Sequence, residues 1–334
     1  MDRRELIAAL SDPNATQALC RQADQVRRRE MGDVVHLRAI VEFSNYCRND
    51  CRYCGIRFQN ARTRRYRMAW DDVLASAQRA ADEGFRTVVL QSGEDPQLDV
   101  DGLAATITEI KKRFGMAVTL SCGEWPREVY RRWKEAGADR YLIKLESADP
   151  EFYAALHPSM RYTERRRCLD DLFALDYEVG SGNIIGLPGQ TAEHLAADIE
   201  DFASVPYDMI AVGPLIPANE TPFADAPQPP IDLVYRVLAL TRLHAPTAHI
   251  PSTTAMCAVD PIARKQALRA GANVVMINFT PPDVAPDYQI YERAACGSTQ
   301  SCIRCIKDAL VELGLRIGDD VGAGIRRKGS EHAT

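Results

Sequence analysis

The chain has 334 residues, 46% hydrophobic and 26% charged, enough to bury a substantial core in one large domain or two ordinary ones. Its formal charge of −5 argues against a general nucleic-acid partner. No apolar run approaches the ~20 residues of a membrane helix, and Met1-Asp2-Arg3-Arg4-Glu5 lacks the apolar stretch of a secretory signal. A cytoplasmic location is therefore expected, where thiols stay reduced.

In chain order, a leading helix is expected over roughly 12–30, within an N-terminal helical segment 1–35. Strands are expected near 36–43, 86–92, 116–121, 139–146, 178–185, 208–213, 246–252 and 273–278. Val88-Val89-Leu90, Ile184-Ile185 and Val274-Val275-Met276-Ile277 are the continuous apolar runs of buried parallel strands. Amphipathic stretches at 70–83, 101–113, 127–136, 191–203, 231–243 and 260–270 separate them, several ending on a glycine helix stop such as Glu83-Gly84 or Ala136-Gly137-Ala138. Eight alternations predict an α/β protein, a (β/α)8 TIM-type barrel over 36–281; a doubly wound open sheet is the competing architecture. The chemically suggestive residues fall repeatedly just after strands, which favours the barrel. Residues 282–334 read as a C-terminal extension of the same single domain, 1–334. The basic runs Arg62-Thr63-Arg64-Arg65 and Arg165-Arg166-Arg167 read as solvated faces, with one arginine of the second excepted below.

Six of the ten cysteines form two tight groups, which in a reducing compartment suggests metal. Cys20, Cys122, Cys168 and Cys257 are scattered and read as small apolar packing. The first group, Cys47, Cys51 and Cys54, is C-x3-C-x2-C directly after the first strand, with Tyr53 before the third cysteine. Three thiolates on one loop hold three irons of a 4Fe–4S cubane and leave the fourth open, as catalysis requires. The open iron binds the amino and carboxylate groups of S-adenosylmethionine (SAM), whose reductive cleavage yields a 5′-deoxyadenosyl radical. Zinc is the competing reading, but it wants four ligands, or three and a water, at other spacings. Gln91-Ser92-Gly93-Glu94-Asp95, after the second strand, and Gly182-Asn183-Ile184-Ile185-Gly186-Leu187-Pro188-Gly189-Gln190-Thr191, after the fifth, resemble the elements that enzymes with such a triad place against the SAM amino group and beside the adenosine, with Ile185 in the latter; alone, such a turn is more often only a tight turn.

From Phe43 the chain reads FSNYCRNDCRYCGIR, and further on LQSGED, GLPGQT, IPSTTAM and MINFTPP. Across about 36 to 320 these stretches resemble the HydE family, radical SAM maturases that help build the active-site cluster of FeFe-hydrogenase. Biotin synthase and methylornithine synthase resemble it more distantly and supply the alternative enzyme reading; a scaffold or electron carrier is the alternative outside catalysis. The resemblance implies that Glu146 and Arg165 grip the two ends of SAM's methionyl part, which a carrier has no use for. It implies that Ser92, Thr119, Thr253 and Thr254 line the barrel, and that Tyr288 and Tyr291 close its mouth. The implied substrate is a small iron–cysteine complex with carbonyl and cyanide ligands, made by a HydG-like maturase and passed on towards a HydF-like one, with ferredoxin or flavodoxin as reductant; no nucleic acid or membrane is implied. Lys144 and Leu145 depart from the family pattern, which has arginine at the first, and Cys122 is also unexpected beside the cavity. Loss of the arginine fork alters anchoring there and leaves room for a paralogue in another metal-cofactor pathway. Cys296, Cys302 and Cys305, C-x5-C-x2-C, resemble a family trio that binds an accessory iron–sulfur cluster; zinc or reduced thiols would read the same. No fourth ligand is evident in the sequence.

Overall fold

Apolar alternation and β-branched runs place eight parallel strands where the sequence puts them: β1 (Val34–Ser44), β2 (Thr87–Ser92), β3 (Ala117–Ser121), β4 (Arg140–Leu142), β5 (Glu178–Ile185), β6 (Met209–Pro214), β7 (Pro251–Ser252) and β8 (Val274–Asn278). The computed structural model describes residues 1–259, 262–291 and 298–325. The strands run in the order β6-β5-β4-β3-β2-β1-β8-β7, in registers such as Ala39 opposite Val88 and Val89 opposite Thr119. The two ends meet through a parallel bridge between Met209 and His249, with Ile210 N donating to His249 O at 3.0 Å. That contact nearly closes the (β/α)8 barrel and rules out the open sheet.

Twelve helices are described: α1 (Arg3–Ser11), α2 (Thr16–Met31), α3 (Trp70–Asp82), α4 (Val100–Phe114), α5 (Arg127–Glu135), α6 (Pro150–Leu156), α7 (Tyr162–Ala174), α8 (Ala192–Ser204), α9 (Ile231–His244), α10 (Thr254–Val259), α11 (Ala263–Arg269) and α12 (Thr299–Leu313). The outer layer is held by apolar side chains between strands and helices, for example Val41, Val88, Ile107 and Trp133. The expected leading helix is α2; a further helix, α1, precedes it, and Asp12 and Pro13 separate the two, since Asp12 caps a short turn and Pro13 has no N–H to give. Strand β4 is shorter than expected. Its chain leaves the ladder after Leu142 and touches β5 again at Glu146, which bridges Asn183 in a left-handed conformation, φ 64°.

The extension does more than sit at the mouth. After α12, β9 (Arg316–Ile317) adds to the start of β1, and the chain then crosses beneath the barrel. Arg140 donates to the carbonyls of Val321 (2.9 Å) and Gly322 (3.1 Å) and to Glu178 (2.7 Å), Thr87 Oγ1 to Val321 O (2.9 Å), and Gly324 N to Glu178 (3.1 Å). These are residues at the N-terminal ends of strands, so 318–324 forms a hydrogen-bonded floor.

Candidate active site

The triad loop leaves β1 and is stapled from within. Asn45 Nδ2 donates to Arg64 O (2.8 Å) and Asp287 O (2.7 Å); Arg65 donates to the carbonyls of Asn45 (2.5 Å), Ile56 (2.8 Å) and Arg57 (2.7 Å). The first basic run is thus only partly a solvated face: Arg62 and Arg64 are exposed, and Arg65 turns inward to hold the loop. Gly93 is required by close approach, since a Cβ there would meet Tyr46 O at 2.2 Å and Cys47 Cβ at 2.9 Å. Burial pushes all three thiols up, Cys54 to about 12, so a thiolate there needs a metal to carry its charge.

Charged groups surround the loop in a chain of contacts. Arg48 Nε donates to Glu94 Oε1 at 2.6 Å, and the other Glu94 oxygen accepts from Glu124 N at 2.7 Å. Arg165 Nε lies 2.9 Å from Glu124 Oε1, and Lys144 Nζ lies 2.9 Å from Glu146 Oε2. Neither contact has the angles of a hydrogen bond, and Arg165 Nε, Glu124 Oε1 and Glu146 Oε2 are buried without a hydrogen-bond partner among the described residues. Glu146 and Arg165 are therefore not a salt bridge with each other; each meets a neighbour of opposite charge and keeps a buried polar atom to offer a ligand. Burial pushes the Glu124 carboxyl up and Arg165 partly offsets it. Of the second basic run, Arg166 reaches Asp201 and Arg167 reaches Glu164 and Asp171, so these side chains are ion-paired as well.

A cavity of about 1170 Å³ occupies the upper barrel. Its wall includes Cys47, Cys51, Tyr53 and Cys54, then Gln91, Ser92, Gly93, Glu94, Lys144, Glu146 and Arg165, and further along Thr253, Thr254, Tyr288 and Tyr291. Gln91 Nε2 donates to Tyr288 Oη at 3.1 Å, while the hydroxyls of Thr254 and Tyr291 are 2.6 Å apart. Thr253 Oγ1 is buried and without a partner among the described residues. Two expected residues are not on this wall. Ile185 faces the helical layer, and Ile184, its neighbour on the alternating strand, faces the cavity. Thr119 is buried one pleat below Ser121, which lines the cavity in its place. Cys122 is fully buried in the outer core, away from the cavity wall, so its identity does not touch a bound molecule.

Sequence reasoning missed Glu124, His157 and Asp198. Glu124 stands two residues after Cys122, on the turn that follows β3, the one signal that pointed to it. The other two lie on helices or in a loop with no motif. Cys302 sits on α12 and lines the cavity; Cys305, one turn further, is exposed. Cys296 lies outside the described residues.

Residues 41–202 match the model of the radical SAM superfamily. The chain is 43% identical to the FeFe hydrogenase maturase subunit HydE of Thermotoga maritima, over 94% of this chain and 90% of that one. The chain belongs to the HydE family. It is a radical SAM enzyme, with the 4Fe–4S cluster and SAM of that superfamily as cofactors. The half-buried thiols of the triad, which line the cavity, and the unpartnered buried atoms of Glu146 and Arg165 suit those two groups, one soft and metallic, the other carrying an ammonium and a carboxylate. A more remote relative is 3-methylornithine synthase of Methanosarcina acetivorans, 25% identical over 82% of this chain and 77% of its own. In structure, methylornithine synthase superposes with a TM-score of 0.82 at 22% identity, covering 95% and 94% of the two chains. The maturase HydG superposes at 0.80 and 19%, covering 96% of this chain and 73% of that one. These two likenesses carry the fold alone.

Proposed function

We propose that this protein takes part in assembly of the FeFe-hydrogenase active site, acting on an iron–cysteine complex with carbonyl and cyanide ligands. The observation that supports this most is the single cavity running from the triad, past Glu146 and Arg165, to the hydroxyls of Thr253, Thr254 and Tyr291. When bound, the cluster supplies the electron that splits SAM and yields a 5′-deoxyadenosyl radical.

The chain's own residues do the rest. Cys47, Cys51 and Cys54 hold the cluster. Arg165 pairs with SAM's carboxylate, and Glu146 accepts from its ammonium. The Gln91–Glu94 turn and Ile184 frame the remainder. Thr253 and Thr254 present donors to a small anionic complex, with Tyr288 and Tyr291 excluding water at the mouth. Lys144, a compact point charge where the family has arginine, steadies Glu146 rather than gripping a substrate carboxylate in a fork. The N-terminal helices, barrel and floor segment act as one unit in the cytoplasm, with HydG-like and HydF-like maturases and ferredoxin or flavodoxin as partners.

The test supplies the iron–cysteine complex to reduced, reconstituted protein with SAM. An adenosyl–sulfur adduct found by mass spectrometry, and absent when Cys47, Cys51 or Cys54 is replaced with alanine, supports the reading. Normal 5′-deoxyadenosine formation with no adduct would overturn the substrate and favour a different metal-cofactor pathway.

A further inference from the structure

Sequence reasoning set Cys257 aside as a packing residue. The fold brings it to the second cysteine group. It lies on α10, just past β7, and its half-buried side chain lines the same cavity as Cys302. Cys302 and Cys305 are one helical turn apart on α12, so they share a side of that helix. Arg264, from α11, donates through Nη1 to Cys302 Sγ at 3.4 Å. Burial raises the Cys257 thiol, the same guanidinium lowers it, and the Cys302 and Cys305 thiols raise it further. Cys257, Arg264 and Cys302 thus share one cavity wall, with Cys305 a turn beyond Cys302 on α12.

We propose that Cys257 is a ligand of a second iron–sulfur centre, sharing it with Cys302 and Cys305, with Arg264 donating to a coordinating sulfur. The proposal rests on the reading that this cysteine group holds a cluster at all. Thiolate donors select soft metals and iron–sulfur clusters over hard cations. Among the described residues no three thiol, imidazole or carboxylate groups stand close enough for a single ion. The triad at the catalytic end fails that spacing too, as ligands of a multi-iron cluster do, because each sulfur binds a different iron. Cys257 thereby adds a third thiolate to the Cys302 and Cys305 pair. A hydrogen bond from Arg264 to a ligating sulfur withdraws charge from it and raises the potential of the centre.

The test isolates the second centre in the full chain with Cys47, Cys51 and Cys54 all changed to serine, anaerobically reconstituted with iron and sulfide. Bound iron, acid-labile sulfide and the electron paramagnetic resonance spectrum of the reduced protein are then compared with and without Cys257→Ser. The expected result is at least a twofold loss of iron, or a changed spectrum, with Cys257→Ser, and neither with Cys20→Ser. Iron and spectrum unchanged by Cys257→Ser would overturn the role of Cys257 and leave the second centre standing. No iron in the triad-less chain that keeps Cys257 would remove the second centre itself. Alkylation of Cys257 in the wild-type chain, read by mass spectrometry, needs no variant to fold. Protection on reconstitution supports the proposal, and equal labelling before and after overturns it.

Discussion

The phenol of Tyr53, the residue before the third triad cysteine, lies 2.8 Å from His157 Nε2. The other ring nitrogen, Nδ1, lies 2.9 Å from Tyr153 O. A carbonyl only accepts, so Nδ1 carries the hydrogen and donates. Burial and the nearby Arg165 push the His157 pKa down to about 3, leaving the ring neutral, so Nε2 accepts from Tyr53. A neutral histidine at the end of α6 therefore fixes the aromatic ring of the cluster loop.

This gives a pH signature. An unfolded histidine titrates at about 6.5. With the folded value below that, the contribution of His157 to stability is fully present above about pH 6.5 and lost as pH falls towards 3. Urea unfolding of the cluster-free chain at pH 7 and at pH 5 should show a steeper loss for wild type than for His157→Phe. The variant also leaves the Tyr53 hydroxyl unpaired and should be less stable at pH 7 by about 1–3 kcal/mol. Identical pH slopes for both chains would contradict the neutral-ring assignment.

Arg165→Ala should raise the SAM dissociation constant by roughly tenfold to a few hundredfold, the loss of a charge-assisted bond of ~1.5–3 kcal/mol. The iron content of the triad should stay unchanged, since Arg165 reaches the loop through Met160, whose sulfur lies 3.9 Å from Cys51 Sγ, and is not itself a cluster ligand. Isothermal titration with SAM measures it, and unaltered affinity would place the carboxylate elsewhere.

Asp198, on α8 and almost fully buried, accepts from Ala148 N at 2.6 Å and from Asn183 Nδ2 at 2.9 Å, the two residues that flank Glu146 in space. Asp198→Ala should free that left-handed turn and weaken SAM binding by about fivefold, a loss of ~1 kcal/mol. Burial also raises the Asp198 carboxyl to about 7, above the ~3.9 of an unfolded aspartate. Its contribution is therefore fully present below about pH 4 and lost as pH rises through 7. Asp198→Asn should flatten the fall in stability over that window; a fall as steep as in wild type would show that Asp198 is not its source.

Replacing Cys296, Cys302 and Cys305 together with serine should leave SAM cleavage within about threefold of wild type, a barrier change of roughly 0.7 kcal/mol. Cys302 and Cys305 come from α12, after the eighth strand, and not from the loop after β1 that carries Cys47, Cys51 and Cys54. A folded triple variant that keeps the triad's iron yet fails to cleave SAM would make the group catalytic.

The barrel was legible because β5, β6 and β8 are buried on both faces and carry that burial as unbroken apolar or glycine-rich runs. The triad was legible because its ligands are local in sequence. What stayed hidden depends on contacts between distant segments. Glu124, just before α5, reaches Arg165 only once α5 packs on α7, and Cys257 shares the cavity wall with Cys302 only in the folded chain. Ile184 and Ile185 show a subtler limit: both are apolar, so composition cannot tell which of two neighbours on a strand points inward. The break at Asp12 and Pro13 was written in the residues, since a proline at the first turn signals a helix start.

The hydrogen-bonded floor has a temporal consequence. A ribosome makes β1 to β8 before residues 318–324, so Arg140, Thr87 and Glu178 wait for partners that come later in the chain. Until that stretch arrives, the barrel is a tube open below; afterwards it is a cup. Sealing the base therefore follows the making of every strand of the barrel.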